Sequence, residues 1–422
     1  MNWDKFLKWL FPGLRINQWS LLGIFYGLLV VFSLVLLIGG KRIIVLYGWL
    51  TSNPFYYYLT AGVVLLGGVI GLVWEMRRLG SPVTAPLDFL DRSPSNMIWK
   101  NRLLDRGPKV VTIGGGTGMS VLLRGLKLYT SNITAIVTVM DDGGSSGRLK
   151  REMDMLPPGD IRNCLIALAD DESRMSKIFQ HRFENGSELE GHSLGNLIIA
   201  GAEQMEGSFD RAIEETSKLL NIRGRVIPST LKNTSLVARL EGGEVLSGES
   251  SLSDHPRRIE TLELEEEAPP YSPAIEEIRS ADVIVLGPGS LFTSLIPNLL
   301  VERVGKAIEE AEGKKFYVTN IMTEPGETDG FSATDHLETL DSFFDISCLD
   351  YVVVNVGKTS QSLLNRYARE GAELVEPDFV DDNKYGIKPL LDDLVDTVEL
   401  QGKKTVKHDH QRLAKLILST LN

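Results

Sequence analysis

A chain of 422 residues has room for a membrane segment followed by one large domain. Its formal net charge of −12 excludes the broad basic surface that nucleic-acid binding needs, and with only two cysteines, Cys164 and Cys348, neither a disulfide framework nor a cysteine-built zinc site is expected. A local anion site remains compatible with that charge, because a few backbone N–H groups suffice to hold a phosphate.

The 43% hydrophobic content is unevenly distributed. Ile16 to Gly40 and Ile43 to Trp74 contain no charged residue. Each stretch supplies the roughly 20 apolar residues of a membrane-spanning helix. The first is too long for a signal-peptide core and has no small-residue cleavage site after it. Lys5, Lys8 and Arg15 precede the first run, and Arg77 and Arg78 follow the second. Only Lys41 and Arg42 lie between them, which puts both ends on the cytoplasmic side. Tyr56, Tyr57, Tyr58 and Trp74 suit the membrane boundary. The bland alternative is a pair of buried core helices. Residues 1–78 are therefore expected to form a transmembrane hairpin in a lipid bilayer. Residues 79–108, with prolines at 82, 86, 94 and 108, read as a linker.

From Lys109 the pattern becomes that of an α/β domain. Lys109–Ile113 is a β-branched strand, followed by Gly114, Gly115, Gly116, Thr117 and Gly118 and then an apolar helix. Such a turn brings backbone N–H groups close to a phosphate at a helix start. The spacing is neither a dinucleotide fingerprint, since Met119 stands at its third glycine, nor a Walker loop. The next strand, Ile133–Met140, runs into Asp141, Asp142, Gly143, Gly144, Ser145, Ser146, Gly147 and Arg148. The two aspartates can hold Mg²⁺, orient a ribose or act as a base, and the Gly-Ser stretch can form an anion nest. The alternative is a solvated acidic turn. Asp160, after Pro158-Gly159, is either a helix cap or a site residue, and Arg162 either a phosphate contact or a surface charge. His192 in isolation reads as structural.

Thr234–Ser250 and Arg257–Leu264 carry short alternating patterns, so an antiparallel insertion is expected over about 230–268. Val283–Leu286 is a third buried strand meeting a Gly turn, Gly287, Pro288, Gly289 and Ser290. Lys315–Asn320 and Tyr351–Asn355 are further strands, alternating with helical stretches at Leu299–Glu312 and Ser360–Ala368. The reading is a Rossmann-like, mostly parallel sheet with helices on both faces over 109–422.

In order, the motifs 114–118, 141–148, Pro158-Gly159-Asp160-Ile161-Arg162-Asn163, Gly195-Asn196-Leu197 and 287–290 resemble the gluconeogenesis factor family of the 2-phospho-L-lactate transferase-like (CofD-like) superfamily. The resemblance covers about Lys109 to the C-terminus, and with the hairpin the chain resembles a membrane-attached variant. It implies a UDP-sugar ligand, typically UDP-N-acetylglucosamine, and a bacterial role linking carbon metabolism to cell-wall synthesis and cell shape. It also implies that Asn163, Asn196, Tyr367 and a later Arg-His pair contact the ligand. That pair stands here as Lys407-His408, and lysine lacks arginine's planar fork.

The leading expectation is a UDP-sugar-binding regulator at the bacterial inner membrane, multi-pass, with its main domain in the cytoplasm. Its partners would be cell-wall or carbon-metabolism enzymes, and a homo-oligomer is expected. The alternative is a Mg²⁺-dependent transferase of a nucleotide-activated phosphoryl group, with Asp141, Asp142 and Asp160 catalytic and Asp141 and Asp142 on the metal. A third reading, a nicotinamide oxidoreductase, is disfavoured by Met119. No nicotinamide or flavin cofactor is expected.

Overall fold

The computed structural model describes residues 26, 29–30, 62–71, 103–184, 186, 188–253, 258–378, 385–400 and 403–421. The chain divides into two compact units, Met1–Pro82 and Val83–Asn422. In the first, residues 62–71 are helical. A side chain at Gly68 would meet Val30 at 2.9 Å, so these two apolar segments approach closely. Among the described residues no helix is long and apolar enough to cross a membrane. Most of the expected hairpin at 1–78 and linker at 79–108 lies outside the described residues.

The second unit is built on a seven-stranded sheet. In chain order its strands are β1 (Val110–Gly114), β2 (Ile133–Val137), β3 (Arg225–Pro228), β7 (Val283–Leu286), β8 (Lys314–Val318), β9 (Tyr351–Asn355) and β10 (Lys388–Asp392). Their spatial order is β10-β9-β8-β7-β1-β2-β3, and every pairing is parallel. Every residue of β1, β2 and β7 is buried. Strands buried on both faces need cover on both, which explains their unbroken β-branched runs. The antiparallel insertion consists of β4 (Leu236–Leu240), β5 (Val245–Ser247) and β6 (Ile259–Leu264). It falls within the expected 230–268.

Helix α1 (Gly116–Leu126) buries Met119, Leu122, Leu123 and Leu126, the spacing of one helical face. Helices α2 (Gly144–Met153), α3 (Gly159–Leu168) and α4 (Glu172–Phe179) follow β2, then α5 (Leu194–Glu206) and α6 (Phe209–Leu220) lead to β3. The short α7 (Glu249–Ser253) belongs to the insertion, and α8 (Ser272–Arg279) precedes β7.

Leu291–Leu295 forms one π-helical turn, which runs into α9 (Ile296–Leu299). The single helix expected over Leu299–Glu312 is broken. Arg303 has φ 65°, a left-handed conformation that ends one helical path before α10 (Val304–Glu310) begins.

Helices α11 (Ala333–Asp341) and α12 (Gln361–Arg369) flank β9 in sequence. A second antiparallel pair, β11 (Val395–Leu400) with β12 (Lys403–His408), is an addition to the expected architecture. Its lysine-rich β12 reads as a polar surface segment, and only pairing reveals it as a strand. Helix α13 (His410–Ser419) closes the chain with Asp409 capping its first turn through the N–H groups of Gln411 and Arg412.

Candidate functional site

The strand order sets the position of the site. From β1 the chain moves outward through β2 and β3, then returns to the other side of β1 with β7 and continues outward through β8, β9 and β10. Neighbouring strands β1 and β7 therefore lead away in opposite directions, and a crevice opens beyond their carboxyl ends. The turns at 114–118 and 287–290 both sit there.

They are in close contact. A side chain on Gly118 would meet the Pro288 carbonyl oxygen at 2.5 Å and the Gly289 Cα at 2.8 Å. Gly116 has φ 61° and Gly287 φ 81°, conformations that glycine adopts without a Cβ clash. The amide of Asn298 braces the pair by donating to the Gly114 carbonyl at 3.1 Å and to the Ser294 carbonyl at 2.8 Å.

A cavity of about 520 Å³ opens over these turns, within the range of small-ligand sites. One wall is Gly115–Gly118, Asp160, Gly289, Ser290 and Ser294, joined by Glu249 from α7 of the insertion. The rest of the lining comes from Asn320–Pro325, Tyr367, Glu370, Val406, Lys407 and His408. The site thus combines two backbone-rich turns, a set of carboxylates and one lysine.

Its electrostatics are unusual for an anion site. Burial, then the charge of Asp141, pushes the Asp160 carboxyl up to about 7, against the Gly116 N–H that donates to it. Burial and the neighbouring Asp141, Asp160 and Glu327 push Glu249 well up. Glu327 rises to about 7 through burial and Glu324, although the Phe292 N–H and the Thr293 hydroxyl both donate to it. Burial also raises Glu324, opposed by a hydrogen bond from Ser290. Burial, followed by the charge of Arg124 on α1, lowers Lys407. Burial brings His408 down to about 4, so the ring is neutral at physiological pH.

The residues singled out in the sequence fall into two groups. Gly115, Gly116, Thr117, Gly118, Asp160, Gly289, Ser290, Tyr367 and Lys407 line the cavity, and Gly114 and Gly287 form the strand ends beneath it. Tyr367 accepts the Val406 N–H on its hydroxyl at 2.9 Å, which fixes its ring at the cavity.

The second group bonds largely within itself, although the Arg162 Nε is buried without a partner. Arg162 donates to the Ser193 hydroxyl and to the Asn196 side-chain oxygen, both at 2.6 Å, and to Asn163 at 3.1 Å. Asn196 donates to Ser145 at 3.0 Å and to Ser146 at 3.5 Å, and Ser145 bonds the His192 ring at 3.1 Å. Arg148 donates to the Glu190 carbonyl at 2.6 Å. Arg162 is 8% exposed, which corrects the surface-charge alternative, and none of this group lines the cavity. Gly143 and Gly144 begin α2 beside them.

The two aspartates also part company. Asp141 accepts the Gly143 N–H at 2.8 Å and faces the start of α3, where a side chain on Gly159 would meet its carboxylate at 2.8 Å. Asp142 instead accepts the Ser250 N–H at 2.8 Å and so fastens α7 to the domain. Neither carboxylate reads as a solvated acidic turn.

Mg²⁺ takes one or two carboxylates together with phosphate oxygens. Asp160, with the Asp141 carboxylate close enough for its charge to raise it, lies beside the first glycine turn, and the two fit that donor set. Among the described residues no group of three or more histidine, cysteine or acidic side chains is placed to hold a metal unaided. A metal here would depend on the ligand's own oxygens.

Glu249, Ser294, Asn320, Glu324 and Val406 are cavity residues that the sequence reading missed. Asn320 had a usable signal, since it lies just past the carboxyl end of β8, next to β7. Glu249 and Val406 had none, because only the folding-back of the insertion and of β12 brings them in.

The fold and site define a doubly wound α/β protein with a glycine-lined crevice at its topological switch point. The family model described as 2-phospho-L-lactate transferase CofD matches residues 110–395, and the chain belongs to that family. Its relatives carry the gluconeogenesis factor name. A Nostoc sp. protein so named is 41% identical over 426 residues, covering 98% of this chain and 92% of its own. A Halalkalibacterium halodurans gluconeogenesis factor is 45% identical over 311 residues, covering 73% of this chain and 95% of its own. A crystal structure of a Bacillus halodurans protein superposes with a TM-score of 0.70 at 44% identity, over 74% of this chain and 100% of that one.

Proposed function

We propose that this chain binds a UDP-sugar, UDP-N-acetylglucosamine first among them, and acts as a regulator joining carbon metabolism to cell-wall synthesis and cell shape. The observation that carries this reading is the pair of facing glycine turns at the switch point, opening on a cavity of about 520 Å³. The diphosphate lies over the N–H groups of 115–118 and 289–290, where the start of α1 adds its dipole. Lys407 supplies positive charge, and the Tyr367 ring offers a flat apolar face for the rest of the ligand. The apolar runs of 1–78 anchor the chain in the bacterial inner membrane as a two-helix hairpin with the domain on the cytoplasmic side. There it meets cell-wall or carbon-metabolism enzymes, as a homo-oligomer.

A second reading rests on a different observation, the raised proton affinity of Asp160 beside Asp141 and the phosphate-type turn. Perturbed carboxylates in a cleft are what phosphoryl-transfer chemistry uses. On this reading Mg²⁺ would sit between Asp141 or Asp160 and the phosphates and offset their charge, while the glycine turns position the transferred group.

Titration of the purified full-length chain with UDP-N-acetylglucosamine, GTP and NADH by calorimetry separates the readings. Saturable UDP-sugar binding without product is expected. Mg²⁺-dependent release of a nucleoside monophosphate in the presence of an acceptor would favour the transferase, and silence with every nucleotide would reject both.

A further inference from the structure

Two polar atoms in the loop after β8, beside the second glycine turn, have no partner. The Nδ2 of Asn320 and the Oε2 of Glu324 are both shut off from solvent, and neither makes a hydrogen bond. They do not bond each other. Both residues line the cavity, and Asn320 is 9% exposed. A buried donor or acceptor left unpaired costs about 1–3 kcal/mol, so such atoms persist where something else completes them.

Their neighbours are already fully engaged. Glu327, three residues beyond Glu324, has both its oxygens bonded, to the Phe292 N–H and the Thr293 hydroxyl. Thr323 exchanges bonds with Glu373, its N–H donating to the carbonyl at 2.7 Å and its hydroxyl accepting the N–H at 2.9 Å. Within this loop the open valences thus fall on Asn320 and Glu324, both of which line the cavity. The terminal torsions of Asn and Glu are broad, so each group can turn its free atom toward a ligand without leaving its rotamer.

We propose that Asn320 and Glu324 are the specificity-determining pair of this site, reading an amide-type edge of the ligand. The Asn320 Nδ2 donates to a carbonyl oxygen and the Glu324 carboxylate accepts the adjoining N–H. This inference rests on the UDP-sugar reading and adds which part of that ligand is recognised. Two portions of UDP-N-acetylglucosamine carry such an edge, the uracil ring and the acetamido group of the sugar. Cytosine lacks it at the ring nitrogen, and glucose lacks it altogether. Ser290 ties the pair to the phosphate turn, because its hydroxyl bonds Glu324.

The test uses the full-length chain and its Asn320→Ala and Glu324→Ala variants, with calorimetric titration against UDP-N-acetylglucosamine, UDP-glucose, UDP, CDP and inorganic pyrophosphate. Each variant is expected to lose about tenfold or more in UDP-N-acetylglucosamine affinity, the loss of one buried hydrogen bond. In Asn320→Ala pyrophosphate binding should stay within about twofold, since that variant leaves the glycine turns and the Ser290–Glu324 bond untouched. Collapse of the UDP-to-CDP preference assigns the edge to uracil, and collapse of the N-acetylglucosamine-to-glucose preference assigns it to the sugar. Variants that bind UDP-N-acetylglucosamine like the parent overturn the inference and leave the diphosphate cradle standing. So does a loss in Asn320→Ala that pyrophosphate shares equally, because that marks a structural role. Failure of the parent chain to bind either pyrophosphate or any nucleotide overturns the inference together with the reading beneath it.

Discussion

The turns at 114–118 and 141–148 look alike in sequence and differ in what they have left to offer. Both follow a buried strand of the same sheet, both are rich in glycine, and both open a helix. The first turn has almost no side chains, and it borders the cavity with its backbone. The second carries Ser145 and Ser146, whose hydroxyls are taken up by Asn196 and His192, with Arg162 behind Asn196. An anion site needs donors that are otherwise unpaired. A turn that has found protein partners for its polar groups has become structure, whatever its composition.

The largest test of this contrast is Gly118→Ala. The added methyl would press on the Pro288 carbonyl oxygen and the Gly289 Cα, both backbone atoms that cannot swing aside. We expect roughly tenfold to hundredfold weaker UDP-N-acetylglucosamine binding, the equivalent of about 1–3 kcal/mol of overpacking. An unchanged isotherm would mean that the two turns do not act as one cradle.

Asn196→Ala addresses the other turn. It strips Arg162 of an acceptor and Ser145 of a donor in a buried cluster. Stability should fall by about 2 kcal/mol in urea unfolding, while ligand affinity stays within about twofold. A variant that folds normally and loses the ligand would return 141–148 to the binding site.

The contrast also has a pH signature. Asp160 and Glu327 both sit near 7 in the folded chain, above their ordinary values of 3.8 and 4.5. The folded state therefore holds protons that the unfolded chain releases. Stability is highest below about 4 as far as these groups are concerned, and falls as the pH rises from there through 7. A diphosphate adds charge beside Asp160, so without a divalent ion its affinity should weaken from pH 6 to pH 8. Added Mg²⁺ should restore it, and Asp160→Asn should flatten the profile. A pH-independent affinity in the parent chain would show that the carboxylates do not face the phosphates.

The smallest effect is expected at Gly144. Its φ is 47°, yet no atom lies within 4 Å of the place a side chain would take. Gly144→Ala should cost about 1 kcal/mol of stability for the left-handed conformation alone and leave binding unaltered. A thermal melt and one titration decide it.

Much of the sheet was legible because local rules and the fold agree there. Val110–Val111, Ile133–Val137 and Val283–Leu286 are β-branched runs whose burial on both faces matches their lack of alternation. Arg303 hid the break between α9 and α10, since nothing in its residue type announces a left-handed conformation. β12 was hidden by its own lysines, which pattern rules assign to solvent.

The sequence by itself determined β1, β2, β7, β8 and β9 and which turns can approach a phosphate, while β3 and β10 at the two sheet edges escaped it. Those properties depend on residues near one another in the chain, where backbone sterics and apolar spacing act. Only the tertiary structure decided which of two glycine turns stays open, that Asp141 faces Asp160 while Asp142 fastens α7, and that Glu249, Asn320, Glu324 and Val406 share one cavity. Hydrogen-bond saturation and burial are set by partners up to a hundred or more residues away, and no local pattern records them.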